Sequence, residues 1–263
     1  MELEHRRQKI IDLINSQGSV WVEELAKLFD VTTQTIRLDL NDLSDRGILK
    51  RTHGGAIRLK IITNHDYISR RKLYQDEKKA IGVRAALLIP NDCSVSLNIG
   101  TTTEQVARSL IGHSGLTVIT NNTNIINLLA GTTNKDLILA GGHVRQEDGA
   151  VVGGEAVEFI SRYKVDFAVI GASGLDSDGS ILDFDQREVT VARAILHNSR
   201  TRILVSDCSK FKINAPVRIC GLAELDYFIT DGIPPQEFLD VATKVRTEII
   251  SLQDNSMESH HVI

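Results

Sequence analysis

The chain has 263 residues, 42% apolar and 24% charged, with a formal net charge of −4. That length allows one large domain and a small one, and the composition is that of an ordinary soluble globular protein built on Leu, Ile, Val and Ala. Three widely spaced cysteines without a CxxC pair, Cys93, Cys208 and Cys220, argue against a disulfide scaffold or a zinc site. They read as buried small apolar residues in a reducing compartment. The polar start (Glu2, Glu4, His5, Arg6, Arg7) is not a signal peptide, and no apolar run approaches the ~20 residues that span a bilayer, so a cytoplasmic protein without membrane contact is the expectation. Residues 1–60 hold 10 Lys/Arg and 9 Asp/Glu, a balance of +1, and the remainder holds 20 and 25, a balance of −5. A near-neutral head still binds DNA when its basic side chains share one face.

Residues 1–58 read as helix, helix, helix, hairpin. Ile10, Ile11, Leu13 and Ile14 make an apolar stripe that Gly18-Ser19 breaks. Glu23–Phe29 is a short second helix with an acidic first turn, which suits the positive end of the helix dipole. Asp30-Val31-Thr32 is a tight turn, and Thr32 or Thr33 caps a third helix that Gly47 ends. Ile36, Leu40 and Leu43 face inward at i, i+4, i+7 spacing. Gln34, Arg37, Leu38 and Asn41 then line the exposed face, with Thr33 and Thr35 at its N-terminal end. Two helices joined by a short turn place a recognition helix in the major groove, where Arg37 can fork to guanine and Gln34 can pair with adenine. Arg51, His53, Arg58 and the backbone of Gly54-Gly55, read as a hairpin tip, form a wing for the sugar-phosphate backbone, because glycine permits close approach. A three-helix module that binds protein remains the other reading of this pattern.

Residues 59–75 read as a linker carrying Arg70-Arg71-Lys72, either a solvated surface or a phosphate contact. From residue 76 to 252 β-rich runs at 94–99, 116–120, 137–140, 167–170, 203–205 and 227–230 alternate with helical stretches, which argues an α/β domain with a largely parallel sheet. The tail 253–263 is polar and is expected to be disordered. Asn98-Ile99-Gly100-Thr101-Thr102-Thr103 follows a strand and opens a helix. Its hydroxyls and unpaired N–H groups suit a phosphate, with ordinary helix capping as the alternative. Further polar clusters follow other strands: Thr120-Asn121-Asn122, Ala140-Gly141-Gly142-His143-Val144-Arg145, Gly171–Asp176 and Asp207–Phe211. Ligands bind at strand ends in such sheets, so one shared pocket is expected, with Lys210 as its counter-charge. Glu188 and Arg193 lie on one predicted helix, as pocket residues or as surface charges.

The segments Arg7–Ile10, Val31–Leu40 ("VTTQTIRLDL") and Arg51–Ala56 ("RTHGGA") together resemble the DeoR family of bacterial repressors. The resemblance continues through "IGTT", "TNN", "LAGG", "GASGLD" and "DCSKF" to about residue 240. It implies an N-terminal winged helix-turn-helix and a larger C-terminal α/β sensor domain related to sugar-phosphate isomerases. It implies repression of a carbon-utilisation operon, binding to double-stranded operator DNA as a homo-oligomer, and relief by a phosphorylated small molecule. "GASGLDSDGSILDFD" (171–185) is similar to the branch of the family that answers to glycerol 3-phosphate, with another sugar phosphate as the alternative. The implied effector-binding set is Asn98, Gly100, Thr101, Thr102, Thr103, Asn121, Gly141, Gly142, Asp176, Glu188 and Lys210. Three positions depart from the family pattern. Leu38 stands where Arg is common, and Asn98 and Ser173 stand where Asp is usual. An isomerase would need a proton-transfer set, but Ser177–Arg187 carries no lysine and Ser173 is no carboxylate. Catalytic residues, cofactor and metal are therefore not expected.

Overall fold

Backbone hydrogen bonds organise the N-terminal segment into three helices and a small sheet: α1 (Leu3–Gln17), β1 (Ser19–Trp21), α2 (Val22–Phe29), α3 (Thr33–Asp45), β2 (Leu49–Arg51) and β3 (Gly55–Arg58). The computed structural model describes residues 3–46, 48–58 and 67–253. Gly47, read as a helix stop, the linker segment 59–66 and the tail 254–263 lie outside the described residues.

The three strands pair antiparallel in the order β1-β3-β2, giving a winged helix. Strand β1 is an addition to the sequence reading, which saw only a break at Gly18-Ser19. Three residues are too few to display a two-residue period, and it is pairing with Ala56 that settles Val20 inside. The head has its own core, in which Ile10 and Ile14 of α1 meet Leu25 and Phe29 of α2 and Ile36, Leu40 and Leu43 of α3.

Two compact units divide the chain, residues 1–73 and 74–263. Part of the segment read as a linker is helical, namely α4 (Tyr67–Lys72). Its cations Arg70, Arg71 and Lys72 occupy the last turn, where the dipole favours them, and the Arg71 guanidinium lies 5.6 Å from the centre of the Tyr67 ring. That local reward comes from i,i+4 spacing, which a charge-run reading does not weigh.

The second unit runs α5 (Gln75–Ala86), β4 (Ser94–Leu97), α6 (Thr101–Ser109), β5 (Leu116–Thr120), α7 (Thr123–Leu129), β6 (Lys135–Leu139), β7 (His143–Arg145), β8 (Ala150–Val152), α8 (Gly154–Ile160), β9 (Val165–Ile170), β10 (Gly174–Leu175), β11 (Ser180–Asp183), α9 (Gln186–His197), β12 (Ser199–Val205), β13 (Val217–Gly221), β14 (Tyr227–Thr230), α10 (Gln236–Ala242) and β15 (Glu248–Ser251). Seven strands form one parallel sheet in the order β15-β14-β12-β9-β4-β5-β6. Successive side chains alternate between its faces. Val169, Ile203 and Ile229 join α5, α6 and α7, while Ala168, Ile170, Leu204 and Phe228 join α8, α9 and α10. Both faces are covered, which is why the strands read as continuous apolar runs rather than as alternation. The hairpin β7–β8 and the antiparallel sheet β10-β11-β13 are additions at the rim. The cysteines are unpaired, and only Cys220 is buried, its thiol pushed up to about 12 by burial; Cys93 and Cys208 are half-buried, contrary to the expectation for all three.

Chain order makes one position special. From β4 the chain moves outward to β5 and β6, then returns to lay β9 on the other side of β4. Loops leaving β4 and β9 therefore diverge to opposite faces, and a crevice opens beyond their carboxyl ends.

Candidate functional site

In the head, Thr32 caps α3. Its Oγ1 accepts the Thr35 N–H at 3.1 Å and shares a hydrogen with Thr35 Oγ1 at 2.9 Å. Asp30 adopts a left-handed conformation (φ 51°) and turns α2 into α3. With Ile36, Leu40 and Leu43 fully buried, Thr33, Gln34, Arg37, Leu38 and Asn41 stand exposed, whereas Thr35 is half-buried and its hydroxyl is occupied by the cap. Leu38, where a cation is common, presents an apolar side chain that is 61% exposed. Such a group suits a thymine methyl.

Sequence reading missed Asp39. It sits on α3 but points inward, 1% exposed, and accepts Arg6 Nε at 2.6 Å and Arg7 Nε at 3.2 Å from α1. Arg7 also reaches Asp42 at 2.9 Å. The reading helix is thus held by ion pairs as well as by apolar packing. The signal was present, because Asp39 falls on the buried stripe with Ile36, Leu40 and Leu43, and a buried carboxylate needs a cation.

The wing differs from expectation. Gly55 is not at the tip but opens β3, and Arg51 Nη1 donates to its carbonyl at 2.5 Å. His53 and Gly54 are exposed at the tip. A Cβ on Gly55 would lie 2.0 Å from the Val20 carbonyl oxygen, so glycine is demanded by the close β1–β3 approach, before any contact with DNA. Gly55→Ala is expected to cost the head about 3 kcal/mol or more, since the obstacle is backbone that cannot move aside. A thermal melt of the head that matches wild type would refute this.

Among the described residues of the larger unit, four buried polar atoms beyond the strand ends have no hydrogen-bond partner: Asn98 Oδ1 after β4, Asn121 Oδ1 after β5, and Ser206 Oγ and Asp207 Oδ2 after β12. All four residues are at most 2% exposed. Asn98 donates its N–H to Val169 of β9 at 3.0 Å, so it lies at the crevice. Asn121 Nδ2 donates to the Val151 carbonyl at 3.1 Å, which fixes the amide with its oxygen unpaired. The Ser209 N–H donates to Asp207 Oδ1 at 3.2 Å, and the Ser209 hydroxyl donates to the same oxygen. Unpaired buried polar atoms are costly and concentrate where a ligand completes them.

Helix α6 begins at the same crevice. Gly100 holds φ 147°, a conformation that favours glycine, and the first amides of the helix lack intrahelical acceptors. Thr101, Thr102 and Thr103 are buried in this turn, but the Thr103 hydroxyl donates to the Gly100 carbonyl at 2.7 Å. Two hydroxyls, not the expected three, remain for a ligand. Lys210 lies half-buried on the turn Cys208–Lys212, three residues past Asp207.

Other expected residues fall elsewhere. Gly141 and Gly142 are exposed beyond the edge strand β6, two strands from β4. Asp176 is exposed in the β10–β11 turn of the separate antiparallel sheet. Glu188 is buried against Arg145 at 2.7 Å and is neither a surface charge nor an open ligand group. The same guanidinium holds Asp148 at 2.5 Å and Asp185 at 2.9 Å. Burial alone would lower the Arg145 pKa, but the hydrogen bonds it donates to Asp148 and Glu188, and the charges of those carboxylates, raise it instead. Arg187, then Arg145, hold the Asp185 carboxyl below the usual range against burial. The quartet ties the β7–β8 hairpin to α9. The hairpin in turn meets Asn121 and Asn122 through backbone pairing with Val151 and Ala150. Arg193 donates to the Ile219 and Arg218 carbonyls. Ser173 donates to Asp183 Oδ2 at 2.8 Å, so an aspartate at 173 would set two carboxylates together.

A winged helix-turn-helix joined to a parallel α/β domain with an open switch-point crevice defines a ligand-sensing DNA-binding regulator. The DeoR-like helix-turn-helix domain matches residues 6–63, and the DeoR C terminal sensor domain matches residues 74–232. This chain belongs to the DeoR family. It is 43% identical to the glycerol-3-phosphate regulon repressor of Haemophilus influenzae, over 87% of this chain and 89% of that one. It is 42% identical to the glycerol-3-phosphate regulon repressor of Escherichia coli, over 92% and 96%. A solved ribose 5 phosphate isomerase A from Neisseria gonorrhoeae aligns over 51% of this chain and 52% of that one, with a TM-score of 0.37 and 12% identity. Among the described residues no helix is long and apolar enough to cross a membrane.

Proposed function

We propose that the protein is a transcriptional repressor that reads an operator with α3 and is released by glycerol 3-phosphate at the carboxyl edge of the parallel sheet. The unpaired buried polar atoms that follow β4, β5 and β12 carry this reading, with the first turn of α6 following the same strand β4. The amides of α6, with Thr101 and Thr102, take the phosphate, and the hydroxyl-bearing carbons lie along the carboxyl edge of the sheet. Arg37 and Gln34 read base edges while Thr33 and the wing tip at His53 and Gly54 follow the backbone. Two copies present two heads to two half-sites. Occupancy shifts operator affinity by a coupling of about 1–3 kcal/mol, or about 5- to 150-fold. The related repressors bear names tied to glycerol 3-phosphate, which supports that ligand over other sugar phosphates. Turnover is not expected, because Glu188 is neutralised by Arg145 and position 173 is serine.

The test has two arms. Arg37→Ala is expected to weaken retardation of a genomic fragment selected by the wild type by about 1–3 kcal/mol. Glycerol 3-phosphate at a hundred times its dissociation constant is expected to stabilise the sensor domain by about 2.7 kcal/mol and to loosen the DNA complex. A protein that neither gains stability nor releases DNA would sink the ligand assignment, and conversion of the sugar phosphate would sink the sensor reading.

A further inference from the structure

We propose that the cleft between the end of α9, the first half of β12 and the edge strand β13 is a second binding site, which takes a small organic oxyanion on the guanidinium of Arg193. It lies apart from the effector crevice. His197 ends α9 just before β12, and Asp226, which holds the Arg202 N–H at 2.7 Å, stands just before β14. The cleft therefore belongs to the amino edge of the parallel sheet, whereas the effector crevice lies beyond the carboxyl edge.

The cleft measures about 340 Å³, a volume in the range of small-molecule sites. Leu196, Ile219 and Cys220 supply its apolar lining, each at most 6% exposed. Arg193, Arg202 and Arg218 bring guanidiniums to it from three elements. Two of these cations are already neutralised. Arg202 forks onto Asp226 at 3.0 and 3.2 Å, and Arg218 reaches Asp178 at 3.2 Å. Arg193 differs. Its Nε donates to the Ile219 carbonyl at 2.8 Å and its Nη2 to the Arg218 carbonyl at 2.6 Å, and among the described residues no carboxylate pairs with it.

The backbone explains this arrangement. Ile181 of β11 pairs with Cys220 and Leu182 with Arg218, so β13 carries one residue more at Ile219. That bulge turns two consecutive carbonyls of an edge strand toward Arg193. They hold the guanidinium by its Nε–Nη2 side and leave the Nη1–Nη2 end, which forks onto a carboxylate or a phosphate. A side chain already fixed in this way loses little freedom when it takes an anion. Glu224 lines the same cleft, and its Oε1 accepts the Gly221 N–H at 2.8 Å. Its charge opposes the anion and favours a ligand with a single oxyanion group, whose apolar body lies on Leu196, Ile219 and Cys220.

Calorimetric titration of the full-length protein with benzoate, phenyl phosphate and benzyl alcohol tests this, and the two anions distinguish a carboxylate from a phosphate ligand. At least one anion is expected to bind saturably at about 1 mM or below, and about tenfold or more tightly than the neutral alcohol. Arg193→Gln should weaken that anion at least about tenfold, the loss of a hydrogen bond to a charged group. Glu224→Gln keeps the bond to Gly221 and removes a repelling charge, so it should tighten the same anion about two- to fivefold, which a mere packing defect would not do. An anion that Arg193→Gln leaves unweakened is bound elsewhere, the mouth of α6 included, and overturns the proposal. Benzyl alcohol binding as tightly as the anions overturns it too, as does failure of both anions to saturate by about 10 mM. Should Arg193→Gln fail to fold, Glu224→Gln decides: tighter binding upholds the site, and unchanged or weaker binding overturns it.

Discussion

Asp39→Asn is expected to unfold the winged-helix head at temperatures where the sensor domain remains intact, and so to abolish operator retardation without touching effector binding. The Arg6–Asp39 pair is buried on both sides, with side chains 9% and 2% exposed. Taking one member from such a pair leaves the other charge buried without compensation, which costs about 3–5 kcal/mol. A head of this size buries too little surface to absorb that. The asparagine keeps the shape and one hydrogen bond but not the charge that two arginines of α1 require. Denaturation followed at Trp21, which lies in the head, should show an early transition, while far-ultraviolet circular dichroism retains the later one. A variant that melts within about 1 kcal/mol of wild type would show that apolar packing of Ile36, Leu40 and Leu43 alone holds α3. Arg37→Ala provides the contrast, since its side chain is exposed and its loss should weaken DNA binding with no change in melting.

Arg145→Met should give the second large effect, and in the other unit. One guanidinium separates three carboxylates, those of Asp148, Asp185 and Glu188, and methionine fills its volume without its charge. The expected loss is about 3–5 kcal/mol at neutral pH. The pH dependence distinguishes this from a packing defect. In wild type the depressed Asp185 pKa contributes stability that is present above the unfolded pKa and is lost as pH falls through the folded value. In the variant the carboxylates repel one another, and acid relieves that repulsion, so the gap between variant and wild type narrows on acidification. A gap that is independent of pH would refute the electrostatic account. Because the hairpin carrying Arg145 also positions Asn121 through Val151, effector affinity should fall as well.

Much of this was legible along the chain. Ile36, Leu40 and Leu43 declared the buried stripe of α3 and so its exposed face, because a helix repeats every ~3.6 residues and neighbours in sequence settle which side is apolar. The six β-rich runs lie in six strands of the parallel sheet, since strands covered on both faces are apolar throughout. Their bounds were short by four residues where polar Ser199 and Arg202 opened β12, and ran past β4 by two residues and β6 by one where apolar residues continue beyond the pairing. Strand β15 was missed, because Glu248–Ser251 is an edge strand with a single well-buried residue.

Site residues divided along the same line. The run Asn98–Thr103 was readable because strand, glycine, hydroxyls and helix are contiguous. Asp39 with Arg6 and Arg145 with Glu188 were not, since their partners lie 33 and 43 positions away. Glycine carries the same ambiguity. Gly55 marks a close approach in either reading, and only the β1–β3 register shows that Val20, rather than DNA, is the neighbour. The sequence by itself determined the three helices of the head, six strands of the parallel sheet, the face of the reading helix and the family, because each rests on local periodicity or contiguous motifs. The tertiary structure alone decided where β9 returns beside β4, and therefore which strand ends share a crevice. It also decided which charges neutralise each other there, because both depend on contacts between segments that chain order leaves far apart.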